Sequence, residues 1–266
     1  MKIVKKGGFT LIKILSFAIA FLIGPVSISY AQHSDIWLTL TDNQVTPTEI
    51  NSETNSPTLV DLTTGKFLYP TTFGTPSNPE IPTTGDPGFQ SSANTFDPGY
   101  MYYRAVGSLW FWNGQAWVNN VVDQERVKLR DVQYAYSFVT PDGVSSPVGA
   151  IDQIGGGGSV HQHINFYIEN LGSANPATGA YMIDIELFVT NTIGGSLETH
   201  LSSDPVRIAF NYQMSETEFS VAINALTSPT EPEPVSVPMP NGALFLLAAL
   251  LLIFGSFKNR RKTIVR

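Results

Sequence analysis

The chain has 266 residues and no cysteine, which excludes a disulfide framework and a thiolate metal site. Its net charge of −7 is unevenly spread: residues 32–240 hold all 22 acidic residues but only six basic ones (Lys66, Arg104, Arg126, Lys128, Arg130 and Arg207), a formal charge of −16. So acidic a body lacks the basic footprint of nucleic-acid binding, and suits an extracellular protein or one that meets cations.

The N-terminus begins Met1-Lys2-Ile3-Val4-Lys5-Lys6, runs apolar to Ile23 and reaches Gly24-Pro25. Ser29 and Ala31 place small residues just ahead of a cut between Ala31 and Gln32. Residues 1–31 therefore read as a secretory signal peptide, with the Sec translocon and signal peptidase as partners. Gly8-Phe9-Thr10-Leu11-Ile12 also resembles a type IV prepilin cleavage site, but Lys13 stands where that family usually has glutamate. Pro25 and the strand-like segment after His33 interrupt the long helix that a pilin needs.

Residues 32–226 read as one β-rich domain. Ile36–Thr41 predicts a strand, ended by Asp42-Asn43, and residues 76–99 predict a long loop rich in Pro, Gly, Ser, Thr and Asp. Trp110, Phe111, Trp112 and Trp117 flank Asn113-Gly114, a hairpin signal because a type I′ turn needs positive φ at both central residues. These rings serve either as hairpin core, the commoner use, or as a platform for sugars. Val127–Val139 alternates and predicts one strand. Gly155–Gly158 predicts a surface loop, since neither Lys-Ser/Thr nor a helix follows to make a phosphate loop.

Val160–Ile168 and Tyr181–Val189 are the clearest strands. In the first, His161, His163, Asn165, Tyr167 and Glu169 share one face; in the second, Asp184 and Glu186 oppose five apolar residues. The turn at Asn175-Pro176 suits an antiparallel hairpin, whose symmetric register sets His163 near Glu186 and Asn165 near Asp184. Pro205–Tyr212 predicts another strand, and Ser215-Glu216-Thr217-Glu218 is a capping box opening a short helix to about Leu226. Many short strands with one helix predict an all-β fold, an antiparallel β-sandwich of jelly-roll or Ig-like type.

The chemistry-bearing constellation is His161-Gln162-His163. Histidines at i and i+2 leave one face of a strand close enough to share a metal ion. Glu186 offers a carboxylate from the neighbouring strand, and His33, second in the mature chain, a further nitrogen; His200 lies in a loop. Such a set suits Zn²⁺ or Cu²⁺. The plainer reading is a pair of exposed histidines on a solvated sheet face. No catalytic set emerges: no Gly-x-Ser-x-Gly elbow frames a serine, and no carboxylate pair stands out as acid and base.

Residues 227–240 form a Pro-rich linker ending in Val237-Pro238-Met239-Pro240, and residues 241–266 form a tail. In the tail, the run Ala243–Phe257 spans about 22 Å as a helix, short of a ~30 Å hydrocarbon core. Lys258, Arg260, Arg261 and Lys262 then supply a basic stop. This order resembles the PEP-CTERM sorting signal recognised by exosortases, with Met239 where glutamate is commonest. The resemblance implies an inner-membrane-anchored precursor, cut near the proline motif and delivered to the cell surface or extracellular matrix of a Gram-negative-type bacterium. An unprocessed single-pass anchor is the alternative.

Two looser resemblances concern the histidines. Gly155-x5-His161-x-His163 looks like the opening of the cupin motif, but Glu169 follows too late for the cupin glutamate. The body also resembles a group of PEP-CTERM proteins with His-x-Asp-Ile (His33-Ser34-Asp35-Ile36), a Trp-Asn-Gly hairpin (Trp112-Asn113-Gly114), and a Gly-rich loop leading to His-x-His. Zinc-uptake-repressor control of some members of that group implies a link to zinc supply. A metal-free structural or adhesive protein associated with exopolysaccharide and a cupin-like metalloenzyme are the competing functions.

Overall fold

The computed structural model describes residues 35–228, except 49, 52–55, 75–81, 120–123, 173–174 and 196. In chain order the strands are β1 (Ile36–Thr41), β2 (Gln44–Pro47), β3 (Ile50–Asn51), β4 (Ser56–Pro57), β5 (Leu59–Val60), β6 (Phe67–Thr72), β7 (Thr83–Thr84), β8 (Phe89–Ser91) and β9 (Gly99–Trp112). They continue with β10 (Trp117–Val118), β11 (Glu125–Arg130), β12 (Tyr136–Thr140), β13 (Gly143–Ser145), β14 (Val148–Ile154), β15 (His161–Gln162), β16 (Asn165–Asn170), β17 (Gly179–Thr190) and β18 (Val206–Tyr212). Helix α1 (Glu216–Thr227) follows, opened by the Ser215–Glu218 capping box. The fold is all-β and sandwich-like.

A seven-stranded sheet, ordered β10-β9-β17-β18-β6-β5 with β14 on β9, is the central layer. One face of β17, with Tyr181, Ile183, Ile185, Leu187 and Val189, packs in a core with Ile36 and Leu38 of β1, Val127 and Leu129 of β11, and Phe166 and Ile168 of β16. The two sheets on that side are β15-β8-β1-β2 and β13-β12-β11-β16-β7. The other face presents the small side chains Ala180 and Ala209, which let α1 settle closely; Phe219, Ala222, Ile223 and Leu226 cover them with Trp112. Covered on both faces, β17 and β18 are buried almost throughout, which explains their near-continuous apolar runs.

Several expectations are corrected. β16 and β17 do not form a hairpin: β16 pairs with β11 and β7, and β17 with β9 and β18. Both strands are apolar on a face that meets the same core, so burial is satisfied across the sandwich rather than within one sheet. Val127–Val139 is no single strand but the hairpin β11–β12. The buried Asp131 carboxylate turns the chain there by accepting the Gln133 and Ala135 amides. The supposed loop 76–99 contains β7 and β8. Two pairings, β1 with β8 and β18 with β6, are parallel rather than antiparallel.

The aromatic hairpin forms, with Trp112 opposite Trp117. Its turn is a four-residue loop in which the Asn113 carboxamide oxygen accepts the Gln115 and Ala116 amides, and positive φ occurs at Gly114, not at Asn113. Trp117 donates its indole N–H to the Ala222 carbonyl at 2.9 Å, so the hairpin braces α1. In the glycine run, Gly158 is buried at φ +63° and accepts the Thr95 and Phe96 amides, which leaves no room for a Cβ. Among the described residues no helix is long and apolar enough to cross a membrane; residues 243–257 lie outside them.

Candidate metal centre

The site is assembled on β8. On one side β1 runs parallel to it, and the Ile36 amide donates to the Gly88 carbonyl at 2.8 Å. On the other side β15 runs antiparallel, with His161 opposite Gln90. A short strand between two others thus brings the residue that precedes β1, Asp35, toward the histidines of β15 and its exit.

Asp35 is 6% exposed. Its Oδ1 accepts the Gly88 amide at 2.9 Å, and its Oδ2 accepts the Gln90 side-chain amide. These bonds fix the carboxylate and compensate its burial. His163 hangs over it, with Nε2 3.9 Å from Asp35 Oδ2. The opposite ring nitrogen, Nδ1, lies 3.0 Å from the Gly85 carbonyl and 3.5 Å from Asp86 Oδ1. An Nδ1–H donating to Gly85 leaves the Nε2 lone pair free and aimed at Asp35, the second-contact arrangement that orients metal-binding histidines. The His161 backbone is tied to Asp152 Oδ2 at 3.3 Å, and the two imidazole centroids are 6.4 Å apart.

One ligand atom from each of Asp35, His161 and His163 lies within 4.8 Å of the others. Tetrahedral Zn²⁺ with bonds near 2.0–2.1 Å needs its ligand atoms about 3.3 Å apart. Closing the difference falls to the two exposed imidazoles, because Asp35 is anchored. The residues therefore fit a divalent ion with three protein ligands and an open fourth position. Asp35, Asp86 and Asp152 around two histidines also favour a cation electrostatically. Gly88 makes the arrangement feasible: a Cβ there would stand 2.6 Å from His163 Cε1 and 2.7 Å from Asp35 Oδ1.

The structure brings His161 and His163 together but sets Glu186 apart. Glu186 lies on β17 in the seven-stranded sheet and pairs with Arg104 at 2.9 Å, which also binds Glu198. Asp184 pairs with Arg207 and Lys66 rather than with Asn165. Glu169, which follows the histidines too late for a cupin glutamate, bonds Arg126 and Lys128 on β11. His200 Nδ1 lies 2.8 Å from Asn43 Oδ1, away from the cluster. His33 lies outside the described residues, as do Ala31, Gln32, Val237, Pro238, Met239, Pro240, Lys258, Arg260, Arg261 and Lys262. Asp35 is the candidate ligand that sequence spacing missed; the signal for it was the short His-x-Asp-Ile motif, where it stands two residues after His33.

No family model matches the chain. No curated protein matches it. Among solved structures, the chain is similar to the N-terminal domain of PorA at 12% identity and a TM-score of 0.26, over 55% of this chain and 87% of that one.

Proposed function

We propose that the chain is an exported, exosortase-sorted protein of the cell surface or extracellular matrix that binds a divalent metal ion, Zn²⁺ or Cu²⁺, through Asp35, His161 and His163. The observation that carries the metal reading is the convergence of these three ligand atoms within 4.8 Å, with His163 Nδ1 engaged by the Gly85 carbonyl. An all-N/O set without thiolate suits Zn²⁺ and Cu²⁺ better than Cu⁺. The exposed imidazoles leave the ion accessible from solvent, as a binding or delivery role requires.

The sorting part rests on the signal-like N-terminus and on the Val237–Pro240 motif ahead of the apolar and basic tail. Elemental analysis of the purified protein tests the metal part. Zinc or copper near one equivalent is expected for the wild type and loss of it for a His161→Ala/His163→Ala variant; equal metal in both overturns the reading. Intact mass of the surface form tests the sorting part. It should start at Gln32 and end near Pro240, and a full-length tail at the surface contradicts exosortase processing.

A further inference from the structure

We propose that the outer face of the five-stranded sheet binds a polysaccharide in which neutral sugars alternate with carboxylate-bearing ones. Three of the six basic residues of the body, Arg126, Lys128 and Arg130, project from the same face of β11. Each is set beside aromatic rings. Arg126 lies 4.3 Å from the Phe138 ring centroid, and Lys128 lies 5.2 Å from Tyr136 and 4.6 Å from Tyr167. Arg130 lies 5.5 Å from Tyr134 and 5.7 Å from Tyr167. The registers explain the pattern: Lys128 stands between Phe138 of β12 and Tyr167 of β16, and Arg130 between Tyr136 and Asn165.

This strip is the basic exception on an acidic body. Glu169 binds Arg126 and Lys128. Among the described residues no carboxylate pairs with Arg130. Tyr134 is 74% exposed and Tyr136 42% exposed, so both rings of the strip, Tyr136 stacked on Phe138 and Tyr134 beside Arg130, are open to solvent. Tyr134 also holds a left-handed backbone, φ +66°, which bulky residues rarely adopt. The Asp131 carboxylate clamps that turn from three amides, those of Gln133, Ala135 and Ala150. A strained, braced turn that presents a tyrosine to solvent points to a ligand for the ring.

The chemistry that such a strip recognises is specific. Ring faces stack on the C–H faces of sugars, and a guanidinium fork takes a carboxylate in two parallel hydrogen bonds. The surface is a sheet face rather than a cavity, which suits a polymer over a small molecule. Aromatic and basic residues also occur together where single-stranded nucleic acid binds, but such sites track the backbone with many cations, and here one guanidinium lacks a carboxylate partner.

Binding to a hyaluronan oligosaccharide, a neutral chitin oligosaccharide and an oligothymidylate, each with a metal chelator present, tests the assignment. Hyaluronan is expected to bind best. Arg130→Ala should weaken it by about tenfold. Tyr134→Asn should also weaken it, yet raise thermal stability, because asparagine tolerates the left-handed backbone. The His161→Ala/His163→Ala variant should bind as the wild type does, which separates this surface from the metal centre. Unchanged affinity in both strip variants, or tighter binding of oligothymidylate than of hyaluronan, overturns the proposal.

Discussion

His163 Nε2 faces Asp35 Oδ2 across 3.9 Å, an exposed imidazole poised over a buried carboxylate. The carboxylate is fixed before any ion arrives, by the Gly88 amide and the Gln90 side chain. The imidazole is exposed, with Nδ1 3.0 Å from the Gly85 carbonyl and room for the ring to adjust. A rigid anchor with two adjustable partners is the geometry from which the metal account follows.

Asp35→Asn keeps the shape of the anchor and removes its charge. Metal affinity should fall at least about tenfold, since even partners outside the coordination sphere carry that much. Glu186→Ala, by contrast, should leave affinity unchanged, because Glu186 belongs to the Arg104 pair on another sheet. Calorimetric titration of both variants checks the contrast.

Gly88→Ala should uncouple the site from the fold. The new methyl meets His163 Cε1 and Asp35 Oδ1 at 2.6 and 2.7 Å. The half-exposed His163 ring swings away cheaply, but the buried Asp35 carboxylate must shift as well, so the ligand geometry is lost at both partners. Metal binding should fall at least about tenfold, with the thermal midpoint lowered by only a few degrees, roughly the shift of about 1 kcal/mol in a domain of this size.

The helix face of the central sheet carries a buried ionic cluster. Arg207 binds Asp61 and, at 2.8 Å, Asp184, which Lys66 also reaches. Burial pushes the Asp61 carboxyl up, but hydrogen bonds from Thr63 and Thr64 and the charge of Arg207 outweigh it and hold the group below its ordinary value. A carboxyl depressed by folding stabilises the protein above its unfolded pKa, near 3.9. That stability is lost as the pH falls through the lower folded value. The urea midpoint should therefore hold down to about pH 4 and drop below it, and Asp61→Asn should flatten the drop. Arg207→Leu removes the cation from the buried Asp61 carboxylate and leaves Asp184 with Lys66 alone, and should cost about 3–5 kcal/mol at neutral pH.

Trp117→Ala tests whether the tryptophan hairpin is structural. It removes the indole bond to Ala222 and part of the cover on α1. A loss of about 3–5 kcal/mol is expected by denaturant unfolding, the usual range for deleting a packed aromatic. Sugar binding should be retained under conditions where the variant is folded. A stable variant that loses sugar binding would assign the platform to this hairpin.

How far the sequence was legible depends on the range of the signal. Local signals carried through for the Ser215–Glu218 capping box, the Trp112–Trp117 hairpin and the alternation of β17, but the strand expected over Val160–Ile168 is broken at His163-Ile164 into β15 and β16, which belong to different sheets. Pairing was another matter. Strands β16 and β17 are consecutive and both apolar on one face, which fits a hairpin as well as two facing sheets, and only the global packing decides between them. That choice moved Glu186 away from the histidines. The carboxylate that does stand beside the histidines, Asp35, comes from more than 120 residues earlier in the chain than His161 and reaches it through β8, which is three residues long inside a segment rich in turn formers. No periodicity survives in so short a strand.

Calorimetric titration of chelator-stripped protein with Zn²⁺, comparing wild type with the Asp35→Ala/His161→Ala/His163→Ala variant, tests the central claim most directly. Saturable one-to-one binding is expected for the wild type and none for the variant, with both proteins equally folded by circular dichroism. Equal binding by the two, or no binding by the wild type to Zn²⁺ or Cu²⁺, would contradict it.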